Sequence, residues 1–223
     1  MIEQEFVVTE AVAEGVIDPG EKISFEEYLR RFTAYEGGHT EWLAGEVAIY
    51  PMTNNLQHNE LVAFLTSLLR FMISIHKLGR VILAGVPMKY SDTMPAREPD
   101  VMVILRDHLD RLRPTYIDGI ADIVIEVISP ESDARDRGAK FIEYEAAGVP
   151  EYWLFDPIRQ EAIIYARGQD DRYHPFPLDA QGRLTSTLLP GSALDPHILW
   201  GETLPDGMAL VALVQAMDGD QNG

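Results

Sequence analysis

The 223-residue sequence contains no cysteine. Disulfide bonds and thiolate metal sites are therefore excluded, and nothing argues for secretion. Residues 1–15 have neither a basic segment nor a long apolar run, so they are not typical of a signal peptide. No uninterrupted apolar stretch approaches the roughly 20 residues that a membrane-spanning helix needs. The sequence predicts a cytoplasmic protein with no membrane segment.

Basic residues are also scarce. The chain has 18 Lys and Arg against 36 Asp and Glu, a net charge of −18, which argues against strong non-specific binding to nucleic acid. The acidic excess lies in the two ends, because residues 70–140 contain 11 residues of each sign. This neutral middle could face nucleic acid, or the whole surface could simply be acidic and solubilising. Charge alone favours the second interpretation.

The pattern of apolar residues predicts one α/β domain with a mixed central sheet flanked by helices. Segments 100–105 and 122–128 are continuously apolar, which is typical of central strands covered on both faces. Hairpins are predicted at 41–49 and 152–165, shorter strands at 80–84, 86–90 and in the tail up to Leu199, and helices at 24–35, 55–79, 133–147 and 208–217. We predict an acidic arm at 1–22, the domain at 23–200, and a C-terminal helix and tail at 201–223.

Glu126 is the most informative candidate for a functional residue. It lies inside a continuous apolar strand, where an ionised carboxylate is costly unless a cation or several hydrogen bonds meet it. It could lie at the solvated end of the strand, or it could pair with an arginine. An end-of-strand position is compatible with function, because ligands gather at the carboxyl ends of strands in α/β sheets. We interpret Glu126 as a functional residue.

Asp100 provides a second carboxylate at the start of its predicted strand. By itself it is a common turn residue. If strands 100–105 and 122–128 are neighbours, however, Asp100 and Glu126 can converge on one point. Paired carboxylates are suitable ligands for a hard divalent cation such as Mg²⁺ or Mn²⁺.

Lys140 lies on the helix that follows Glu126. Asp136 precedes it by four residues, so the two could form an ordinary exposed ion pair on the helix surface. Alternatively, Lys140 could point into the carboxylate site and offset charge that develops on a phosphoryl group. Helical periodicity does not decide between these interpretations.

Several segments resemble the Uma-type family of "putative restriction endonucleases", a branch of the PD-(D/E)XK nuclease superfamily with a restriction-endonuclease-like fold. They are Pro99-Asp100, Ile125–Pro130, Asp136–Tyr144 and Ala147–Pro157, with Trp42-Leu-Ala-Gly-Glu46 and His58 matching the amino-terminal pattern. The resemblance covers about residues 23–200, and the part from 122 to 157 is the most specific.

The resemblance implies that Asp100 and Glu126 bind Mg²⁺ or Mn²⁺, with the carbonyl of Val127 as a further ligand. In the commonest superfamily pattern a lysine follows the second acid by two positions, whereas this sequence has Ile128 there. Lys140 would substitute from the helix. It would position the nucleophile, or deprotonate it if its own pKa were depressed.

The resemblance also points to supporting residues. Glu46 would add a third carboxylate or a water contact. His58 would contact phosphate or act as an auxiliary base, although a structural or helix-capping histidine is an equal alternative. Tyr144 and Trp153 are expected to pack around the site.

The implied activity is metal-dependent hydrolysis of phosphodiester bonds, with DNA as substrate and, by analogy, a homodimer that addresses two strands. The main alternative is a non-catalytic nucleic-acid- or protein-binding module that retains the nuclease fold. A weaker alternative is a metal hydrolase of another phosphoester.

Overall fold

The computed structural model describes residues 21–32, 39–50 and 55–219. These residues include ten strands: β1 (His39–Leu43), β2 (Glu46–Tyr50), β3 (Gly79–Leu83), β4 (Met88–Lys89), β5 (Val101–Leu105), β6 (Ile117–Asp118), β7 (Ile123–Val127), β8 (Glu151–Asp156), β9 (Glu161–Arg167) and β10 (Tyr173–Pro175). Six of them form the main sheet in the order β10-β9-β8-β7-β5-β3. Within it, β7 and β8 pair in parallel and the other neighbours are antiparallel. The predicted mixed α/β sheet is confirmed.

Helices cover both faces of the central strands. The described segments contain the α-helices α1 (Phe25–Phe32), α2 (Leu56–His76), α3 (Phe141–Ala147) and α4 (Gly207–Gly219). Ile123, Ile125 and Val127 of β7 pack in the same core cluster as α2 and α4, whereas Val124 and Ile128 pack in the cluster that contains Tyr144 of α3. Because side chains alternate along a strand, Glu126 must also face the α3 side.

Helix α2 begins and ends close to where its apolar periodicity predicts. The side chain of Asn55 accepts a hydrogen bond from the backbone N–H of His58 at 3.2 Å, which caps the amino terminus. At the other end Lys77 adopts a left-handed conformation with φ 52°, and its N–H donates to the last carbonyls of the helix. The start of this long helix places His58 near Asp100, which directly precedes β5, and the helix then packs on the sheet.

The predicted helix at 133–147 is continuous, but its middle is not α-helical. Residues Arg135–Lys140 form a π-helical turn that leads directly into α3. Hydrogen bonds in such a turn join residues five apart, and π turns inside helices are frequent at functional sites. The turn changes which side chains of this helix face the sheet.

The remaining elements agree with prediction in most places. Both predicted hairpins form, as β1–β2 and β8–β9. Ser24 caps α1 by accepting the N–H of Glu27 at 3.1 Å. The predicted end of that helix near Tyr35 and most of the predicted acidic arm lie outside the described residues.

The tail differs from prediction. In its described part, β10 is followed by a single bridge between Leu184 and Leu194 and by a short 3-10 helix at Pro196–Trp200, rather than by several strands. Helix α4 packs against α2 with Val214 and Met217 buried in the core. None of the helices in the described segments is long and apolar enough to cross a membrane. The predicted domain boundaries stay predictions.

Candidate active site

The two carboxylates meet because β5 and β7 are antiparallel neighbours. Val101 pairs with Ile125, so continuing the register by one residue places Asp100 opposite Glu126. Both side chains point to the α3 face of the sheet. Residues two apart along a strand face the same side, and Asp100 is two residues from Met102, as Glu126 is from Val124. The condition for convergence is met in the structure.

Asp100 is held by one backbone group and one side chain. Its Oδ2 accepts the N–H of Val127 at 2.8 Å, and Nε2 of His58 lies 3.3 Å from the same oxygen. Burial acts to raise the pKa of Asp100, but His58, Lys140 and the N–H of Val127 together outweigh burial and lower the pKa below its usual value. Asp100 is thus ionised and its carboxylate is held in one orientation, while 21% of its side chain is accessible to solvent.

Lys140 points into the carboxylate site. Its Nζ lies 2.8 Å from Oε1 of Glu126 and 3.1 Å from Oδ1 of Asp136, and all three residues are at most 3% exposed. The hydroxyl of Tyr144 donates to the same Oε1 of Glu126 at 2.8 Å. The alternative of an exposed helix pair is wrong, because both Asp136 and Lys140 are buried in the site.

Lys140 is strongly held in its charged form. Burial acts to lower the pKa of Lys140, but the neighbouring carboxylates, Glu126 first and then Asp136, outweigh burial and raise it above the usual value. The condition for Lys140 to act as a base, a depressed pKa, is therefore not met. This geometry suits an ammonium group that orients and neutralises.

Three carboxyl groups, those of Asp100, Glu126 and Asp136, share this site with the buried ammonium group of Lys140. Burial, reinforced by the charges of Asp136 and Asp100, raises the pKa of Glu126 to about 8 against the opposing effect of Lys140. Oδ1 of Asp136 is buried and makes no hydrogen bond, although Lys140 lies within ion-pair distance. Buried carboxyl oxygen atoms are the donors that a hard divalent cation prefers, and its charge would favour the ionised form of Glu126.

A cation here would rely on two carboxylates and a carbonyl rather than on a larger cage. Within the segments that the structure describes, no group of three or more His, Asp or Glu side chains is arranged to hold a metal ion. The peptide of Val127 is next to the site, since its N–H already contacts Asp100. The role of the Val127 carbonyl as a metal ligand stays a prediction.

A second ionic cluster adjoins the site and was not predicted. Glu41 of β1 is fully buried, and its Oε2 accepts a hydrogen bond from Nη1 of Arg97. Arg97 also donates to Glu143 of α3 at 2.7 Å and 2.9 Å. Glu41 Oε1 makes no hydrogen bond, and Nε2 of His39 lies 3.7 Å from it. The cluster joins the β1–β2 hairpin to α3.

Glu46 and Trp153 lie away from the carboxylate site. Glu46 is exposed at the turn of the hairpin, and among the described residues no hydrogen bond or ion pair joins its side chain to Asp100 or Glu126. Trp153 packs on the α2 face of the sheet, where its indole N–H donates to Glu151 at 2.8 Å. Of the two aromatic residues expected around the site, Tyr144 contacts it directly.

Sequence reasoning missed Asp136 and Glu41 as parts of the site. The spacing of Asp136 from Lys140 was visible, but it equally describes a surface pair. The sequence offered one signal for Glu41. It is an acidic residue next to Trp42 in a predicted hairpin strand, and one face of such a strand is buried. Nothing in the sequence assigned that face to Glu41 rather than to its neighbours.

Comparison with known families supplies the context for this geometry. The family model Uma2, described as "Putative restriction endonuclease", matches residues 25–196. The chain belongs to the Uma2 family. A solved structure described as "a putative nuclease belonging to DUF820 from Anabaena variabilis ATCC 29413" resembles it with a TM-score of 0.62 and 18% identity, covering 80% of this chain and 97% of that one. This likeness shows that the two chains share a fold. No curated protein matches the sequence.

Proposed function

We propose that the chain is a metal-dependent endonuclease that hydrolyses phosphodiester bonds in DNA. The observation that carries this proposal is the convergence of Asp100, Glu126 and Lys140, from two adjacent strands and the π turn, on one site rich in carboxyl groups. Family membership supports the same reaction class, because the family is described as "Putative restriction endonuclease". Burial of three charged groups on one sheet face is costly, which favours a functional reason for their retention.

Asp100, Glu126 and the carbonyl of Val127 would hold Mg²⁺ or Mn²⁺. When bound, such an ion would lower the pKa of a water molecule and stabilise charge on the phosphate oxygens. The carboxylates supply the oxygen donors that these ions prefer. The hydrogen bond from the N–H of Val127 fixes the direction of Asp100 before any ion arrives.

Lys140 would act as a fixed positive charge. Its ammonium group is buried against Glu126 and retains its proton, so it can orient a water molecule or offset charge on the phosphate but not accept a proton. Tyr144 would position Glu126 from the other side of the same oxygen. His58 would position Asp100, because its ring lies 3.3 Å from the carboxylate and its own pKa is raised, burial being outweighed by Asp100.

The assembly and location follow as further parts of the proposal. Cleavage of both strands of a duplex would need two sites, which a homodimer would provide. The acidic chain is suited to a narrow recognition site rather than to broad electrostatic attachment to DNA. We propose a cytoplasmic enzyme of this kind.

The test compares Asp100→Asn with wild type and with Asp107→Asn. Asp107 is an exposed acid beyond the opposite end of β5, so its substitution changes the net charge equally without touching the site. Labelled single-stranded and duplex DNA are incubated with Mg²⁺ or Mn²⁺, and metal binding is measured by calorimetry. We expect Asp100→Asn to lose cleavage by at least ~100-fold and to weaken metal binding, since one ligand is neutralised.

Asp107→Asn should behave as wild type. Metal-independent DNA binding without cleavage by the wild-type protein would contradict the proposal and favour a non-catalytic module. Full cleavage by Asp100→Asn would exclude Asp100 as a ligand.

A further inference from the structure

Arg135 stands at the edge of the site in an arrangement that the proposed mechanism does not use. It is the first residue of the π turn that ends at Lys140. Its guanidinium lies over the ring of Tyr50 in β2, with Cζ 4.1 Å from the ring centroid. The ring supports one face of the guanidinium and limits its movement, as in other cation–π contacts.

This arginine differs from its neighbours in lacking an acidic partner. Arg137 contacts Asp133, Asp156 and Glu161, and Arg97 contacts Glu41 and Glu143. Among the described residues no carboxylate lies within ion-pair distance of Arg135, and its Nε is buried without a hydrogen-bond partner. In a chain with twice as many acids as bases, a half-buried guanidinium held in place without a carboxylate is suited to an external anion.

The π turn places this charge beside Lys140. Hydrogen bonding between residues five apart brings positions 135 and 140 towards the same side of the helix, whereas an α-helix would separate them. Arg135 is half-buried at the start of this turn, whereas Lys140 is buried at its end. The helix thus presents two cations in sequence, one buried among carboxylates and one at the rim.

We propose that Arg135, supported by Tyr50, binds a backbone phosphate of the nucleic acid next to the bond that Asp100, Glu126 and Lys140 would cleave. The inference rests on the proposed function, since it assigns the substrate contact of the same site. A guanidinium presents several N–H donors in one plane, so it can contact two oxygen atoms of one phosphate. Arg135 would therefore fix the position of the strand relative to the buried carboxylates.

The experiment measures binding apart from cleavage. Fluorescein-labelled single-stranded and duplex DNA oligonucleotides are titrated in EDTA at several NaCl concentrations, and affinity is read by fluorescence anisotropy. Arg135→Ala is compared with Arg70→Ala, which removes the same charge from an exposed position on α2, on the opposite face of the sheet. We expect Arg135→Ala to weaken binding by roughly 10-fold or more and to reduce the slope of log affinity against log salt by about one.

The support from Tyr50 is tested with a matched pair. Tyr50→Phe retains the ring face and should bind as wild type, whereas Tyr50→Leu should approach the weakened affinity of Arg135→Ala. Circular dichroism checks that each variant is folded.

The results separate this inference from the proposed function. Equal affinity and salt slope for Arg135→Ala and Arg70→Ala would overturn the role of Arg135, even if the wild-type protein cleaves DNA. DNA binding without cleavage would contradict the proposed endonuclease activity. The comparison of Arg135→Ala with Arg70→Ala would still test whether Arg135 binds phosphate. Failure of the wild-type protein to bind either DNA would overturn the Arg135 proposal.

Discussion

Two glutamates on one hairpin show how far residue surroundings differ over a short distance. Glu41 and Glu46 lie on the same face, since Glu41 pairs with Ala48 and Leu43 pairs with Glu46. Glu41 is fully buried and ion-paired with Arg97, whereas Glu46 is exposed beside the turn. The resemblance points to Glu46, but burial and charge make Glu41 the one that connects the hairpin to the site.

This difference in burial predicts that replacing each glutamate by glutamine will change the free energy of unfolding by a different amount. Glu41→Gln leaves the buried guanidinium of Arg97 with only Glu143 among its described carboxylate partners, so we expect the free energy of unfolding to fall by about 3 kcal/mol. Glu46→Gln should change it by less than ~0.5 kcal/mol. Urea denaturation measures both variants. Equal stability of the two would mean that the Glu41–Arg97 pair contributes nothing to the fold.

At the scale of the element, the π turn is the feature on which the site depends. It carries Arg135 and Asp136 at its start and Lys140 at its end, and α3 continues from it with Tyr144. Burial of Lys140 against Glu126 shows that the turn directs this helix end into the sheet face. The helix positions four polar groups of the site along about two turns of chain.

A glycine in this turn allows a test of helix stability independent of chemistry. A Cβ added to Gly138 would meet no atom within 4 Å, so Gly138→Ala should raise the free energy of unfolding by about 0.5–1 kcal/mol through the lower entropy of the unfolded chain. In Gly79→Ala the new Cβ would lie 2.0 Å from the carbonyl oxygen of Ile104, and a loss of roughly 1–3 kcal/mol is expected. Thermal unfolding followed by circular dichroism compares them. Destabilisation by Gly138→Ala would indicate that the turn needs glycine.

The elements also show what the sequence could predict. Helix α2 and strands β5 and β7 were predicted because apolar periodicity and continuous apolar runs follow directly from burial. The π turn was not predicted, because residues 135–140 contain one apolar side chain, that of Ala139, and therefore no apolar periodicity from which a changed helical register could be recognised. For the same reason the direction of Lys140 required the structure, and the spacing of Asp136 suggested a surface pair that does not exist.

The residues of the site differ in how far the sequence alone could identify them. Glu126 could be singled out from burial alone, since a carboxylate in a continuous apolar strand needs a partner. Asp100 depended on strand pairing, which the sequence did not establish and the β5–β7 register confirmed. Glu41 and Arg97 are 56 residues apart, and nothing local indicates that they form a pair.

At the scale of the whole molecule, charge is the dominant property. A net charge of −18 causes repulsion among the charges of the folded chain. The same negative charge also repels the phosphates of nucleic acid. The ion pairs at the site are buried and therefore little affected by salt, whereas charges exposed to solvent are screened by it.

Salt should therefore stabilise the protein. We expect the melting temperature to rise by several degrees between roughly 20 mM and 500 mM NaCl, because the Debye length shortens from about 20 Å to a few ångströms. Differential scanning calorimetry at fixed pH measures the change. A fall in melting temperature with salt would show that exposed ion pairs contribute more than net repulsion.

The separateness of the β1–β2 hairpin has a consequence for how such proteins diversify. Its strands bond to each other and not to the six-stranded sheet, and the backbone contact to the segment before β5 is a bridge between Trp42 and Ala96. The hairpin nevertheless supplies Tyr50 and Glu41 to the neighbourhood of the site. Changes in its length or turn can alter what approaches the carboxylates without disturbing the strands that hold them. The proposed contact to the substrate and the proposed cleavage site would thus lie on parts of the chain that can evolve, or be engineered, at different rates.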